Sequence, residues 1–195
     1  MKKSFAFVIV ALATSTLFSQ STIAQTTWNA DPMHSKLAFS TTHLGISDID
    51  GSFNKFTASA KTNKADFSDA VFDLSVDVST INTLVEMRDK HLRSADFFEV
   101  EKFPTMTYKS NGIKKIGENK YQLTGDLTLH GVTKPVTMDL WYRGTIVNPQ
   151  TKANTAGFQL TGTIKRSDFG IGPKFAPPMI SDEVKIKADG EFKQK

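Results

Sequence analysis

The sequence predicts a mainly β fold of eight antiparallel strands with one short associated helix, arranged as a sandwich or a closed barrel. Three observations lead there. Apolar and polar residues alternate with a period of two in eight separate runs. The runs are mostly joined by short loops, without the strand–helix rhythm of a parallel sheet. Beyond the N-terminal segment, only residues 83–98 (TLVEMRDKHLRSADFF) have a helical character.

The first 24 residues stand apart. Lys2 and Lys3 precede a short apolar core at Phe5–Leu12, and Thr22-Ile23-Ala24 offers a small-x-small cleavage site. That is the layout of an export signal. A retained anchor is the alternative, but the polar run Thr14–Thr16 interrupts an apolar stretch that would need about 20 residues. Cleavage after Ala24 leaves one domain, residues 25–195, long enough to bury a full core. It removes two of the 24 basic residues and none of the acids, so the formal charge falls from +4 to +2. With charges interspersed and no basic stripe, nucleic-acid binding is not suggested. Cysteine is absent, which excludes disulfides, a thiol nucleophile and a thiolate metal site. An exported, cysteine-free chain fits a periplasmic location.

The eight runs follow in order. Residues 34–44 put Leu37, Phe39, Thr41 and His43 on one side, and residues 52–61 align Phe56, Ala58 and Ala60. Residues 71–79 alternate Phe72, Leu74, Val76 and Val78 with Asp73, Ser75, Asp77 and Ser79, which is one apolar and one wet face. Residues 105–110 bring Met106 and Tyr108 together, and residues 120–130 align Tyr121, Leu123, Gly125, Leu127 and Leu129. Gly131 and Pro135 punctuate a turn. Residues 136–146 align Val136, Met138, Leu140 and Tyr142; residues 156–165 align Phe158, Leu160, Gly162 and Ile164; residues 183–192 align Val184, Ile186, Ala188, Gly190 and Phe192. Closing such a sheet removes its edges. Eight strands then enclose either packed side chains or one small ligand.

Thr83 and Glu86 fit a capping box, which predicts a helix from about Leu84 to about Arg93. Glu86 with Lys90 and Asp89 with Arg93 are four apart and suit a solvated face. Arg88 and His91 share another face, and Arg88 lies between Leu84 and Leu92. Arg88 either reaches water or Asp96 or Glu99, or it faces a polar head group at a cavity mouth. Phe97, Phe98 and Phe103 then read as a lid packed on the core.

Catalytic signals are sparse. His34, His43, His91 and His130 show no metal-ligand spacing. His43 reads as a satisfied core residue on an inward face, and His130 as a turn cap. There is no GxSxG, SxxK or Walker A pattern. The stretch FGIGPKFAPP at 169–178 reads as an irregular crossing, Arg166 and Asp168 as a local pair, and Asp182 with Glu183 as solvated. No catalytic residue and no metal ligand is expected.

Several segments resemble the YceI-like family of exported lipid-binding proteins. They are HSKLAFSTTHLGI at 34–46, GSFNKF at 51–56 and RDKHLRSADFFEVEKFPTMTYKS at 88–110, then LTGDLTLHGVTKPV at 123–136, KRSDFGIG at 165–172 and ISDEVKIKADGEF at 180–192. The resemblance implies an extended eight-stranded antiparallel lipocalin-like barrel with a short associated helix. It also implies that a long-chain polyisoprenoid lipid or a prenyl-tailed quinone is held non-covalently inside, with no other cofactor. Tyr108 stands where the family pattern leads us to expect phenylalanine. The expected lining is Leu37, Phe39, Phe53, Phe56, Phe72, Leu74, Val76, Met106, Tyr108, Leu127, Leu129, Phe158 and Leu160, with His43, Arg88 and His91 at the head group. The alternation does not say which face of each strand is the inner one. Alternative readings are a barrel enzyme using His43 and His91 on a prenyl or quinone substrate, and a module docking an envelope redox protein. Transient contact with a membrane and a homodimer are further expectations.

Overall fold

The computed structural model describes residues 24–195, so the segment read as an export signal lies outside the described residues except for Ala24. Ten strands form one antiparallel sheet: β1 (Thr26–His43), β2 (Ser47–Phe53), β3 (Phe56–Thr62), β4 (Val71–Asp77), β5 (Ile81–Asn82), β6 (Thr105–Gly117), β7 (Lys120–Leu129), β8 (Val132–Val147), β9 (Asn154–Lys165) and β10 (Ile180–Gln194). Among the described residues one α-helix, α1 (Glu86–Arg93), precedes β6. Pairing of β10 with β1 closes the sheet. Eight strands make the ring, in the order β1, β3, β4, β6, β7, β8, β9, β10. Along the Leu37–His43 part of β1 the wall is continued by β2, which pairs in turn with β5.

The run at 52–61 is two strands rather than the single one expected. β1 is 18 residues long and takes two partners on one flank. Its first part, Thr26–Asn29, pairs with β3, and its last part, Leu37–His43, pairs with β2. The chain therefore has to leave β1 at Asn54 and Lys55 to cross to β4, and the Asn54 N–H donates to the Thr80 carbonyl there.

β1 also begins eight residues before the alternation does. Residues 26–33 hide it because the strand bulges between Ala30 and Ser35 against β10. Pro32, which has no N–H to give a ladder, sits in that bulge. Buried Asp31 holds it, accepting from Lys193 Nζ at 2.8 Å, from the Met33 N–H at 3.1 Å and from His34 Nδ1 at 2.7 Å. These donors, Lys193 first, keep the Asp31 carboxyl well below the usual range, and Asp31 in turn raises the His34 imidazole.

At the end where β1 starts, the barrel is plugged. Phe67, on the β3–β4 loop, is 1% exposed and packs its ring against Trp28, Tyr142 and Phe158 at centroid distances of 5.3, 4.9 and 4.9 Å. Two contacts hold the loop inward. Tyr121 Oη donates to the Asp66 carbonyl at 2.5 Å, and Asp69 accepts from the Asn63 N–H and Nδ2, each at 3.1 Å. Removing a buried aromatic side chain forfeits both transfer free energy and packing.

Phe67→Ala should cost about 3–5 kcal/mol. The Tm, read by calorimetry, should fall by about 10 °C, at ~2–4 °C per kcal/mol for a domain this size. The bulge gives a pH signature. The folded pKa of His34 lies above its unfolded value of 6.5, so its contribution is full below that value and is lost as pH rises through the folded pKa. The Tm deficit of His34→Gln should be larger near about pH 5.5 than near about pH 8.5. An equal deficit at both would mean the Asp31 contact does not hold the bulge.

Candidate functional site

Above the Phe67 plug the ring is not filled. A cavity of about 510 Å³ runs toward the other end, lined almost wholly by apolar side chains. Two glycines shape its wall. Gly51 faces Phe39 across the β1–β2 pair, where a Cβ would collide with the Phe39 ring. At Gly125 a Cβ would meet the backbone of Lys109 and Ser110 on β6 as well as the Tyr108 ring, at 2.7 Å from Cζ.

The open end is covered by α1, by the segment 94–104 and by the crossing 166–179. Arg166 organises that crossing. It is 7% exposed and donates to five backbone carbonyls: Ser181 at 3.0 Å, Ile171 and Gly172 at 2.8 Å each, Ile180 at 3.1 Å, and Phe175. A guanidinium fork can satisfy that many acceptors at once, which a lysine cannot. Asp168 is not its partner, contrary to the expected local pair; it bonds Lys134 Nζ at 3.1 Å. Asp182 is half-buried and accepts from the Ser167 N–H and hydroxyl, so it is not a merely solvated carboxylate.

α1 is tied down by a second network. Thr83 is buried and does not cap the helix; the N-cap is Val85, with no side-chain bond. Arg88 donates through Nε to Thr83 Oγ1 and through Nη2 to the Thr83 carbonyl, each at 2.7 Å. The Thr83 N–H and hydroxyl donate to Asp89, which is 5% exposed. Asp89 is thus buried rather than paired with Arg93 on a wet face, and Arg93 instead bonds Glu86 at 3.0 Å. Arg88 reaches neither Asp96 nor Glu99; its partner is Thr83. His91 bonds Asp96 at 3.2 Å and meets the edges of Phe97 and Phe175, which stack 4.8 Å apart. Lys174 bonds the same carboxylate at 2.8 Å, and it, followed by His91, holds Asp96 below the usual range.

A deep apolar cavity under a strapped lid can enclose an apolar chain. Among the described residues, Asp31, His34 and Glu191 converge in the manner of metal ligands, but Lys193 already supplies a cation to Asp31 at 2.8 Å.

The YceI-like domain model matches residues 28–192. The chain belongs to the YceI-like family. A UPF0312 protein of Staphylococcus aureus (strain N315) is 36% identical over 171 residues, covering 86% of this chain and 97% of that one. Among solved structures, BcnA of Burkholderia cenocepacia superposes with a TM-score of 0.75 at 27% identity, over 83% of this chain and 98% of its own. The Campylobacter jejuni YCEI protein gives 0.72 at 30%, over 79% and 90%. A polyisoprenoid binding domain from Saccharophagus degradans gives 0.65 at 17%, over 89% and 99%, which shows a shared fold.

In this YceI-like barrel, Leu37, Phe39, Phe53, Phe56, Phe72, Leu74, Met106, Tyr108, Leu127, Leu129, Phe158 and Leu160 all border the cavity. Val76 does not: fully buried, it packs within the core cluster. Arg88 and His91 border the cavity at the lid. His43 borders it too, but as an exposed residue at the end of β1 rather than a core histidine. His130 lies at φ +52 on the β7–β8 turn, where its Nδ1 bonds the Phe169 carbonyl at 3.0 Å. The wall also includes Met138, Leu140, Ile186, Ala188 and Phe192, which alternate in their strands but were not among the expected lining, and Ile171 and Phe175, whose irregular segments carry no period.

Tyr108 Oη is buried without a hydrogen-bond partner, and burial pushes the phenol up to about 12. An unpartnered hydroxyl costs stability that an isosteric apolar ring does not. Tyr108→Phe should therefore leave the Tm unchanged or raise it. A clear fall would reveal a hydrogen bond formed in solution.

Proposed function

We propose that the protein binds a long-chain polyisoprenoid lipid or a prenyl-tailed quinone inside the barrel, for carriage, storage or sequestration in the periplasm. The observation that carries this is a 510 Å³ apolar cavity left unfilled in a ring whose far end is sealed by aromatic rings. An eight-stranded barrel can fill itself with side chains; this one keeps Ala30, Ala58 and Ala188 on its wall where larger residues would close the space. The Saccharophagus degradans domain, a polyisoprenoid binding domain of the same fold, supports the ligand class.

The driving force is transfer of the tail out of water. Each methylene contributes roughly 0.8 kcal/mol, so about ten of them offer roughly 8 kcal/mol before ordering costs. The head group would lie at the lid, near His43, Arg88 and His91. Arg88 uses Nε and Nη2 on Thr83, which leaves Nη1 for a head-group oxygen. No catalytic step is part of this reading. The export signal read in the first 24 residues supports the periplasmic setting.

Native mass spectrometry of the protein purified from its own envelope should show a stoichiometric prenyl-chain adduct that extraction releases. Ala58→Trp, which puts an indole into the cavity, should abolish the adduct without lowering the Tm. A clean apo mass, with no uptake of added prenyl lipid by the wild type, would overturn the proposal.

A further inference from the structure

The open end of the cavity is framed by two apolar lips. One is the β1–β2 turn with Leu44 and Ile46, joined to Met179 by a bond from the Leu44 N–H to the Met179 carbonyl at 3.1 Å. The other is the approach to α1, with Leu84, Val85 and Met87. These side chains stand in water: Leu84 is 90% exposed, Ile46 85% and Met87 84%, and the remaining three are about half exposed. They are continuous with the cavity, since His43, Thr83, Arg88 and Met179 itself border it.

Two of the lips' residues are also held in an unusual conformation. Leu44 has φ +52 and Leu84 φ +65, in the left-handed region where glycine or asparagine is ordinary and a branched side chain is strained. Turn tips are normally polar. Here the chain places leucine at both strained positions, half exposed at Leu44 and almost fully exposed at Leu84, where burial in the fold gives little back. Exposed apolar groups gathered at one place mark a contact surface.

We propose that this rim docks on the surface of a lipid bilayer, with both lips among the head groups and the mouth facing the acyl layer. The proposal rests on the lipid-binding reading above. Its occupant follows from the position of the lips. Both lips adjoin residues that border the cavity, so a protein seated on both would cap it. A bilayer instead continues the apolar phase into it. A tail can then pass from membrane to barrel without crossing water, which is the step that its insolubility would otherwise make slow.

The test uses phosphatidylcholine vesicles and the processed full chain. Wild type should co-sediment with them. The double variant Leu44→Asn/Leu84→Asn should partition at least about tenfold more weakly, because two leucine side chains no longer leave water. Its Tm should stay level or rise, because asparagine suits a positive φ. Ile146→Ser, at the plugged end, should sediment like wild type, although Ile146 is 63% exposed. Vesicles that retain the double variant as well as wild type, or that retain neither, overturn the docking. A polyisoprenoid and a prenyl quinone, each dispersed without vesicles, separate the two readings. Vesicle binding without uptake of either would refute the ligand and leave the docking intact; uptake without vesicle binding would do the reverse.

Discussion

Everything in this molecule depends on the pairing of β1 with β10. That ladder runs from Trp28 opposite Gln194 to His43 opposite Ile180, and it turns an open sheet into a ring. Closure satisfies the backbone of both outer strands. It also fixes an interior whose size is set by the strand number rather than by the side chains available to fill it. The bulge at Asp31 is the adjustment this requires. A strand of 18 residues cannot stay straight along a curved wall, and the extra residues between Ala30 and Ser35 absorb the bend. Lys193, His34 and the Met33 N–H then keep the bent strand from unzipping at its buried carboxylate.

The two ends of the ring are finished by opposite means. At one end an aromatic cluster fills the space with dispersion contacts, and Phe67 is its centre. At the other end irregular backbone has to cross the opening, and its carbonyls would lack partners near an apolar cavity. Arg166 answers five of them and the Arg88–Thr83–Asp89 network secures the helix. Buried Arg166 and Asp89 therefore act as structural straps beside the cavity.

Much of the barrel was legible because period-two alternation is a local property. Phe72, Leu74, Leu127, Leu129, Phe158 and Leu160 each stood out on the apolar side of a run, and they border the cavity. The failures come where tertiary contacts or irregular backbone, rather than period, decide the outcome. The split at Asn54 follows from β1 taking two partners, which residues 52–61 do not record. Thr83 and Glu86 matched a capping box, but the Thr83 hydroxyl was drawn to the Asp89 carboxylate instead. Arg166 looked like half of a local pair with Asp168, because nothing in its neighbourhood reveals that the chain folds back through residues 171–181. Ile171 and Phe175 reach the cavity from that same crossing, with no periodicity to give them away.

The aromatic plug has a consequence for traffic. With Phe67, Trp28, Tyr142 and Phe158 in the base, the barrel is a blind vessel rather than a tube. Whatever enters must leave by the same door, in reverse order, so a new occupant cannot push the old one out through the back. On the proposed reading, a tail longer than the vessel has to fold on itself or trail outside.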